Sequence, residues 1–277
     1  MDTDIKQLTS QGFRFKKSLG QNFITDTNLL HAIVADACVC SDDRVIEVGA
    51  GAGSLTRALA ARAKSVTAFE VDTSLASVLD KLSAEHGNVR VLYLDALKAD
   101  IAAVTDNAPF KLVANLPYYI TTPVIFHFLD VPNLISLTVM LQKEVAQRFV
   151  AKENTSEYGA VTAQLRAYGE PRITRTVSRA LFTPPPNVDS AVVHFELQKK
   201  PGVADFAHLK RLIACAFAMR RKTLVNNLCA GFALGKEQAA AFLSAAGLAE
   251  GVRGETLGIE QFIALSNIMV RASGINI

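Results

Sequence analysis

Apolar and polar residues follow two patterns along the first 200 residues. Runs of four to eight residues rich in Val, Ile and Leu alternate with stretches in which apolar residues recur at helical spacing. The runs predict strands at residues 45–48, 65–71, 90–94, 112–115, 134–141, 172–177 and 191–196. Such alternation predicts a mostly parallel sheet covered by helices on both faces, and the last two strands suit an antiparallel addition at the sheet edge.

Beyond residue 202 the apolar spacing predicts helices alone. The helical stretches are residues 206–218, 221–228, 236–245 and 259–271. A linker is predicted where Lys199-Lys200-Pro201-Gly202 combines charge with Pro and Gly. The chain therefore divides into an α/β domain over residues 1–200, which begins with a basic arm at residues 1–25, and an all-α domain over residues 201–277.

Three glycines follow the first predicted strand of the sheet. Gly49, Gly51 and Gly53 let the backbone approach a ligand at the carboxyl edge, where open α/β sheets bind. Glu70 ends the second strand, where a carboxylate can accept both hydroxyls of an adenosyl ribose, and Asp95 ends the third. The glycines alone leave a methyl donor, a dinucleotide or a purely structural loop open.

The fourth strand ends in the sequence Asn115-Leu116-Pro117-Tyr118. Pro117 has no N–H to give, so it ends the hydrogen-bonded ladder. An amide, two backbone carbonyls and an aromatic face suit a planar ring that carries an exocyclic amine, and the tetrapeptide resembles that of methyltransferases acting on adenine N6. Together with Glu70 and Asp95 it favours S-adenosylmethionine, because a nicotinamide enzyme would need a hydride partner here.

Composition and charge limit the kinds of partner and the cellular location that the sequence predicts. Residues 1–140 carry 12 Lys and Arg against 15 Asp and Glu, whereas residues 141–277 carry 17 against 11. A basic second half suits a polyanion. No apolar run approaches the roughly 18 residues of a membrane span, and the first residues lack the apolar core of a secretory signal. The four cysteines match neither a disulfide framework nor a zinc pattern, which predicts reduced thiols in a cytoplasmic protein.

Three further motifs accompany the tetrapeptide in order, and with it they cover the chain from about residue 15 to the last helix. They are residues 17–23, residues 182–192 and residues 217–228. The chain resembles the ribosomal RNA adenine dimethyltransferases. The resemblance implies a seven-stranded, Rossmann-like class I methyltransferase domain, a helical RNA-binding domain, and dimethylation of N6 on two adjacent adenosines near the 3′ end of 16S rRNA.

The resemblance also implies roles for individual residues. The donor S-adenosylmethionine would be bound by Gln21, Asn22, Ile24, Gly49, Gly51, Glu70, Val71, Asp95, Ala96 and Asn115. The catalytic group would comprise Asn115, Leu116, Pro117, Tyr118 and Phe182, with Tyr118 and Phe182 on either face of the target adenine. The RNA would be contacted by Lys16, Lys17, Arg220, Arg221 and Lys222. No metal is implied, and the enzyme is expected to act as a monomer on the small ribosomal subunit or its precursor.

Two departures from the family pattern and two rival functions remain. Asn187 stands where many members carry Lys, and residues 151–159 lack the usual Pro-Gly turn. One rival is a 23S rRNA adenine methyltransferase of the antibiotic-resistance type, which the motif at residues 217–228 in the helical domain disfavours. The other is a non-catalytic nucleic-acid-binding factor on the same fold, which the presence of Glu70, Asp95 and Asn115 disfavours.

Overall fold

The computed structural model describes residues 13, 15–16, 19–198 and 202–272. Their contacts divide the chain into two compact units. One unit holds the described residues up to Ala146 together with Arg172–Leu197, and the other holds Gln147–Pro171 with the described residues from Gln198 onward. Each unit has its own buried core.

The first unit is an α/β unit. Its strands are β1 (Phe23–Ile24), β2 (Arg44–Val48), β3 (Ser65–Phe69), β4 (Val89–Leu92), β5 (Phe110–Asn115), β6 (Leu134–Gln142), β7 (Arg172–Val177), β8 (Phe182–Thr183) and β9 (Ser190–Glu196). Its helices are α1 (Thr27–Asp36), α2 (Ser54–Ala60), α3 (Ala76–Glu85), α4 (Ile101–Val104) and α5 (Thr121–Leu129). Helix α1 begins as predicted, because the Asp26 side chain accepts from the Leu29 N–H at 2.7 Å.

Seven strands form the main sheet in the order β4-β3-β2-β5-β6-β9-β7. The first five pair in parallel, and β9 lies antiparallel between β6 and β7. The predicted mostly parallel, seven-stranded sheet is therefore confirmed. The sequence did not predict the separate two-stranded ladder of β1 and β8, which pairs Ile24 with Phe182.

The second unit is helical. Helix α6 (Lys143–Phe149) ends in it, followed by α7 (Ala160–Arg166), α8 (Phe206–Ala218), α9 (Leu224–Phe232), α10 (Lys236–Ala245) and α11 (Ile259–Ala272). Residues 147–171 pack with these helices, whereas the sequence placed them in the α/β domain. The Tyr158 hydroxyl donates to the Leu257 carbonyl at 2.7 Å, and the Gln164 amide donates to the Lys210 carbonyl at 3.1 Å.

Helix α9 begins later than its apolar spacing predicted. The buried Asn227 amide donates to the carbonyls of Ala216, Met219 and Thr223, and its oxygen accepts from the Met219 N–H. These bonds satisfy groups left open at the end of α8 and tie the first turn of α9 to it. Residues 220–222 consequently lie in the turn between the two helices, named the basic turn here, and not on a helix face.

Candidate active site

The carboxyl ends of the parallel strands surround a cavity of about 230 Å³ in the α/β unit. Because β2 lies between β3 and β5, the residues that follow these strands meet at one edge of the sheet. Every residue predicted to bind the donor or to take part in catalysis lines this cavity: Gln21, Asn22, Ile24, Gly49, Gly51, Glu70, Val71, Asp95, Ala96, Asn115, Leu116, Pro117, Tyr118 and Phe182.

The glycine turn after β2 has a backbone that only glycine adopts readily. Gly49 and Gly51 have φ of +80° and +57°. A Cβ added at Gly51 would lie 3.0 Å from the Phe23 ring, so a side chain there would be both strained and crowded. The Gly49 N–H donates to the Phe69 carbonyl at 2.9 Å, which ties the turn to the end of β3. The turn thus brings bare backbone to the cavity wall.

Glu70 is held in place by the backbone around it. Its two carboxylate oxygens accept from the N–H groups of Gly51, Val71 and Asp72, each at 2.8 Å. The side chain is buried yet lines the cavity, so it presents a fixed acceptor rather than a mobile charge. Next to it, Val71 is 52% exposed, which leaves an apolar side chain available to a flat ligand.

A second carboxyl group at this edge was not given a role from the sequence. Glu47, in β2, is buried and lines the cavity, and the Thr56 hydroxyl donates to it at 2.5 Å. Burial raises the pKa of Glu47 to about 8, the Thr56 hydrogen bond opposes the rise, and the charge of Glu70 adds to it. Glu47 therefore holds its proton at neutral pH.

A short helical turn follows β4 and lies at the cavity. The Asp95 carboxylate accepts from the Leu97 N–H at 3.0 Å and so caps the turn Ala96–Lys98. Ala96 is buried, and Leu94 is 43% exposed at the cavity wall. A fixed carboxylate and an exposed apolar side chain again lie together here.

Asn115 ends β5 and is oriented by the amino-terminal arm. Its Nδ2 donates to the Asn22 carbonyl at 3.2 Å, which directs the amide nitrogen to the arm and leaves Oδ1 as the acceptor on that amide. The Leu116 N–H donates to the Met140 carbonyl at 3.2 Å, so the ladder with β6 continues up to Pro117. The amide and the backbone carbonyls expected to face an amino group are thus carried by a well-paired strand end.

Tyr118 is fixed by a residue that sequence reasoning missed. The hydroxyls of Tyr118 and Ser190 lie 2.9 Å apart, and Ser190 is fully buried at the start of β9. Burial raises the pKa of Tyr118, and the Ser190 hydrogen bond works against that rise, so the phenol stays neutral. Ser190 falls within the family motif at residues 182–192, but the role of that hydroxyl depends on β9 lying beside β6.

Phe182 lies in β8 and serves the core as well as the cavity. It is 4% exposed and belongs to the same apolar cluster as Val113 and Val192. Its pairing with Ile24 joins the arm to the family motif at residues 182–192. Most of the ring is therefore fixed by protein, and only the part that faces the cavity is available to a ligand.

Asp72 anchors the amino-terminal arm. Its carboxylate accepts from Lys16 Nζ at 2.5 Å and from Gln21 Nε2 at 2.7 Å. Burial opposes ionisation, but these bonds and those from Ser74 outweigh it and lower the pKa of Asp72 to about 2. Gln21, which was predicted to bind the donor, and Lys16, which was predicted to bind RNA, therefore both hold the arm in place through Asp72. Lys17 lies outside the described residues.

The side chains of the basic turn in the helical unit differ in their hydrogen bonds. The Arg220 guanidinium donates to the Ser156 and Tyr158 carbonyls at 3.2–3.5 Å and lies 3.4 Å from a Glu255 oxygen. Arg220 therefore fixes the loop at residues 151–159, whose shape the sequence left open. Arg221 and Lys222 are exposed.

Within residues 13, 15–16, 19–198 and 202–272, no group of three or more His, Cys, Asp or Glu side chains is arranged to hold a metal ion. Over the same residues no helix has the length and apolar character needed to cross a membrane.

The sheet order, the glycine turn and the acidic strand ends define a Rossmann-like class I methyltransferase fold. Comparison with known proteins then gives the family. Residues 12–270 match the family model "Ribosomal RNA adenine dimethylase", and the chain belongs to that family.

Curated relatives and solved structures agree with this assignment. The chain is 45% identical over 270 residues to proteins named "Ribosomal RNA small subunit methyltransferase A" from Bacillus cereus and Bacillus anthracis, covering 94% of this chain and 92% of theirs. A dimethyladenosine transferase from Plasmodium falciparum aligns with a TM-score of 0.79 at 25% identity, over 91% of this chain and 98% of that one. The 23S rRNA methyltransferase ErmE aligns with a TM-score of 0.69 at 28% identity, over 89% of this chain and 99% of that one.

Proposed function

We propose that this protein transfers methyl groups from S-adenosylmethionine to N6 of two adjacent adenosines near the 3′ end of 16S rRNA, giving N6,N6-dimethyladenosines. The observation that carries the proposal is the Asn115–Tyr118 strand end, which places an amide oxygen, a carbonyl and an aromatic ring in the cavity that also holds the Glu70 carboxylate. The 45% identity to small-subunit methyltransferases supports the choice of RNA.

The cavity wall fits the donor. Glu70, fixed by three backbone N–H groups, accepts the ribose hydroxyls, and the glycine turn at Gly49 and Gly51 leaves room for the methionine part. Val71 packs on the donor's adenine, and Asp95 with Ala96 receives its amino edge. Asn22 and Ile24 cover the site, and Gln21 holds them there through Asp72. When bound, S-adenosylmethionine supplies a methyl group on a positively charged sulfur. That sulfur is a good leaving group because it departs as a neutral thioether.

The protein's task at the target is to prepare a weak nucleophile. The N6 lone pair of adenine is delocalised into the ring, and Asn115 Oδ1 with the Leu116 carbonyl accepts its N–H bonds. This favours a more tetrahedral nitrogen whose lone pair points away from the acceptors. Fixed acceptors need no reorganisation during reaction, so positioning carries most of the catalysis. The N6 proton becomes acidic only as the new bond forms, so no strong base is required.

Aromatic side chains hold the target out of its stack. Tyr118, fixed by Ser190, offers one plate and the cavity-facing part of Phe182 the other. Stacking contributes roughly 1–3 kcal/mol per base, which offsets the unstacking of the adenosine. The exposed Arg221 and Lys222 contact phosphates. On this proposal the protein works in the cytoplasm as a monomer.

The similarity to ErmE keeps one alternative, methylation of 23S rRNA. The deciding experiment incubates the protein with radiolabelled S-adenosylmethionine and either undermethylated small subunits or large subunits, and then maps the modified bases. We expect label in two adjacent adenosines of 16S rRNA. Label confined to 23S rRNA would establish the alternative, and absence of label from both would leave a binding role without catalysis.

A further inference from the structure

Exposed apolar side chains gather at the mouth of the cavity. Seven large hydrophobic residues are exposed among those that the structure describes, and three of them line the cavity: Val71, Leu94 and Tyr119. Tyr119 is the most exposed of the seven, at 60%. Val71 has a role in the donor site, whereas nothing so far assigns one to Tyr119. An aromatic ring left in water beside a ligand cavity indicates a contact with something that binds there.

The backbone around Tyr119 is closed into a rigid turn. The Pro117 carbonyl accepts from the Ile120 N–H at 3.1 Å and from the Thr121 hydroxyl at 3.2 Å, and helix α5 begins directly afterwards. Tyr118 and Tyr119 are the two central residues of this turn. Since the Tyr118 hydroxyl is bound by Ser190, the two neighbouring rings have different environments, one half-buried and one exposed.

The amino-terminal arm lies beside the Tyr119 ring. Gly20 has a φ of +63°, and a Cβ there would lie 3.7 Å from Tyr119 Cε1 and 3.3 Å from Pro117 Cβ. Among the described residues of the arm, Gly20 approaches the ring at a position where no side chain intervenes. Most of the ring remains open at the cavity mouth, next to the turn that carries the proposed target-binding residues.

We propose that Tyr119 stacks on a nucleobase next to the target adenosine and so holds the RNA strand at the mouth of the cavity. This inference rests on the proposed function. An adenosine that leaves its stack exposes the faces of its neighbours, and an aromatic ring at the cavity mouth replaces one lost contact whatever the neighbouring base is. Because the target is a pair of adjacent adenosines, the same ring supports one while the other occupies the cavity.

Three variants of Tyr119 separate stacking from simple packing. Tyr119→Phe keeps the ring, Tyr119→Leu keeps apolar bulk without a flat face, and Tyr119→Ala removes both. The matched control is Tyr93→Ala, because Tyr93 is also exposed but its hydroxyl donates to Asp80 at 2.7 Å and it does not line the cavity. For each variant, the measured quantities are the Kd and KM for undermethylated small subunits, the Kd for S-adenosylhomocysteine, and kcat.

We expect Tyr119→Ala and Tyr119→Leu to raise the Kd and KM for small subunits by about 5- to 150-fold, the equivalent of roughly 1–3 kcal/mol per stacked base. Tyr119→Phe and Tyr93→Ala should stay within twofold of the unchanged protein, and the Kd for S-adenosylhomocysteine should not move. Rescue by Leu, an unchanged affinity for subunits in all variants, or a loss confined to S-adenosylhomocysteine would overturn the inference. If the unchanged protein binds subunits but transfers no methyl group, the proposed function fails while the affinities still decide the stacking.

Discussion

The carboxyl edge of the sheet and the basic turn of the helical unit both concentrate polar side chains, but hydrogen bonds use them differently. At the sheet edge, backbone N–H groups fix Glu70 while the carboxylate still faces a cavity. At the basic turn all three side chains are exposed, but Arg220 is bound to two carbonyls of the loop at residues 151–159. A fixed polar group marks a candidate site only when it is both held by protein and open to a ligand.

The largest expected effect concerns Asn115 at the sheet edge. Asn115→Ala removes the amide acceptor, and kcat should fall by about 10²–10³-fold, as for the loss of one oxyanion-type contact, with affinity for small subunits mostly kept. Single-turnover methyl transfer measures this. The matched control is Asn133→Ala, since Asn133 precedes β6 at the opposite edge of the sheet and should leave the rate unchanged. Equal rates for the two variants would remove Asn115 from the mechanism.

The next effect concerns the arm that we propose covers the donor. Asp72→Asn weakens the bonds from Lys16 and Gln21, and because charge-assisted hydrogen bonds contribute about 1.5–3 kcal/mol, the Kd for S-adenosylhomocysteine should rise by about 10-fold or more. Titration calorimetry measures the change. Asp80→Asn, at an exposed carboxylate that accepts from Tyr93, is the control. An unchanged Kd would show that the arm is positioned without Asp72.

Arg220 and its neighbour Arg221 sharpen the comparison within the basic turn. Arg220→Ala breaks bonds to the loop at residues 151–159 and should lower the free energy of unfolding by about 1–3 kcal/mol, measured by denaturant titration. Arg221→Ala should leave stability unchanged and instead reduce the salt dependence of RNA binding by about one phosphate contact. The reverse pattern would contradict the division of roles drawn here.

The last effect is on the pH dependence of stability. The pKa of Glu47 is about 8 in the folded protein against an ordinary 4.5, so the folded state binds more protons than the unfolded chain between these pH values. Stability contributed by this group is therefore lost as pH rises through that window, with about 1.4 kcal/mol for each unit of pKa difference. Glu47→Gln cannot ionise, and its Tm should vary less with pH across the window. Parallel Tm profiles for the two proteins would rule out this titration.

Periodicity predicted the sheet, and its strand ends bring Glu70, Asp95 and Asn115 to one cavity, whereas the arm residues and Phe182 were expected there only from the family resemblance. This worked because the ends of parallel strands meet at one edge, so local pattern determines distant contacts. Other features depend on side-chain bonds between distant segments, which have no period. The Ser190 contact with Tyr118, the Asp72 clamp on the arm and the pairing of β1 with β8 are of this kind.

The predicted start of α9 and the predicted domain boundary were wrong for a related reason. The helix predicted at residues 221–228 included the charged Arg221 and Lys222, whereas α9 begins at Leu224, where the Asn227 side chain ties its first turn to the end of α8. Likewise, residues 147–171 were expected in the α/β domain because they precede the predicted linker at residues 199–202, whereas their contacts through Tyr158 and Gln164 place them in the helical unit.

The most direct test of the account asks whether the sheet edge, and not the basic turn, binds the donor. Calorimetric titration with S-adenosylhomocysteine would compare the unchanged protein, Glu70→Ala and Arg220→Ala, with circular dichroism to verify folding. Because Glu70 is expected to accept both ribose hydroxyls, Glu70→Ala should weaken binding by about 10- to 100-fold, whereas Arg220→Ala should bind as the unchanged protein does. Unaltered affinity in a folded Glu70→Ala protein would contradict the assignment of the cavity to the donor.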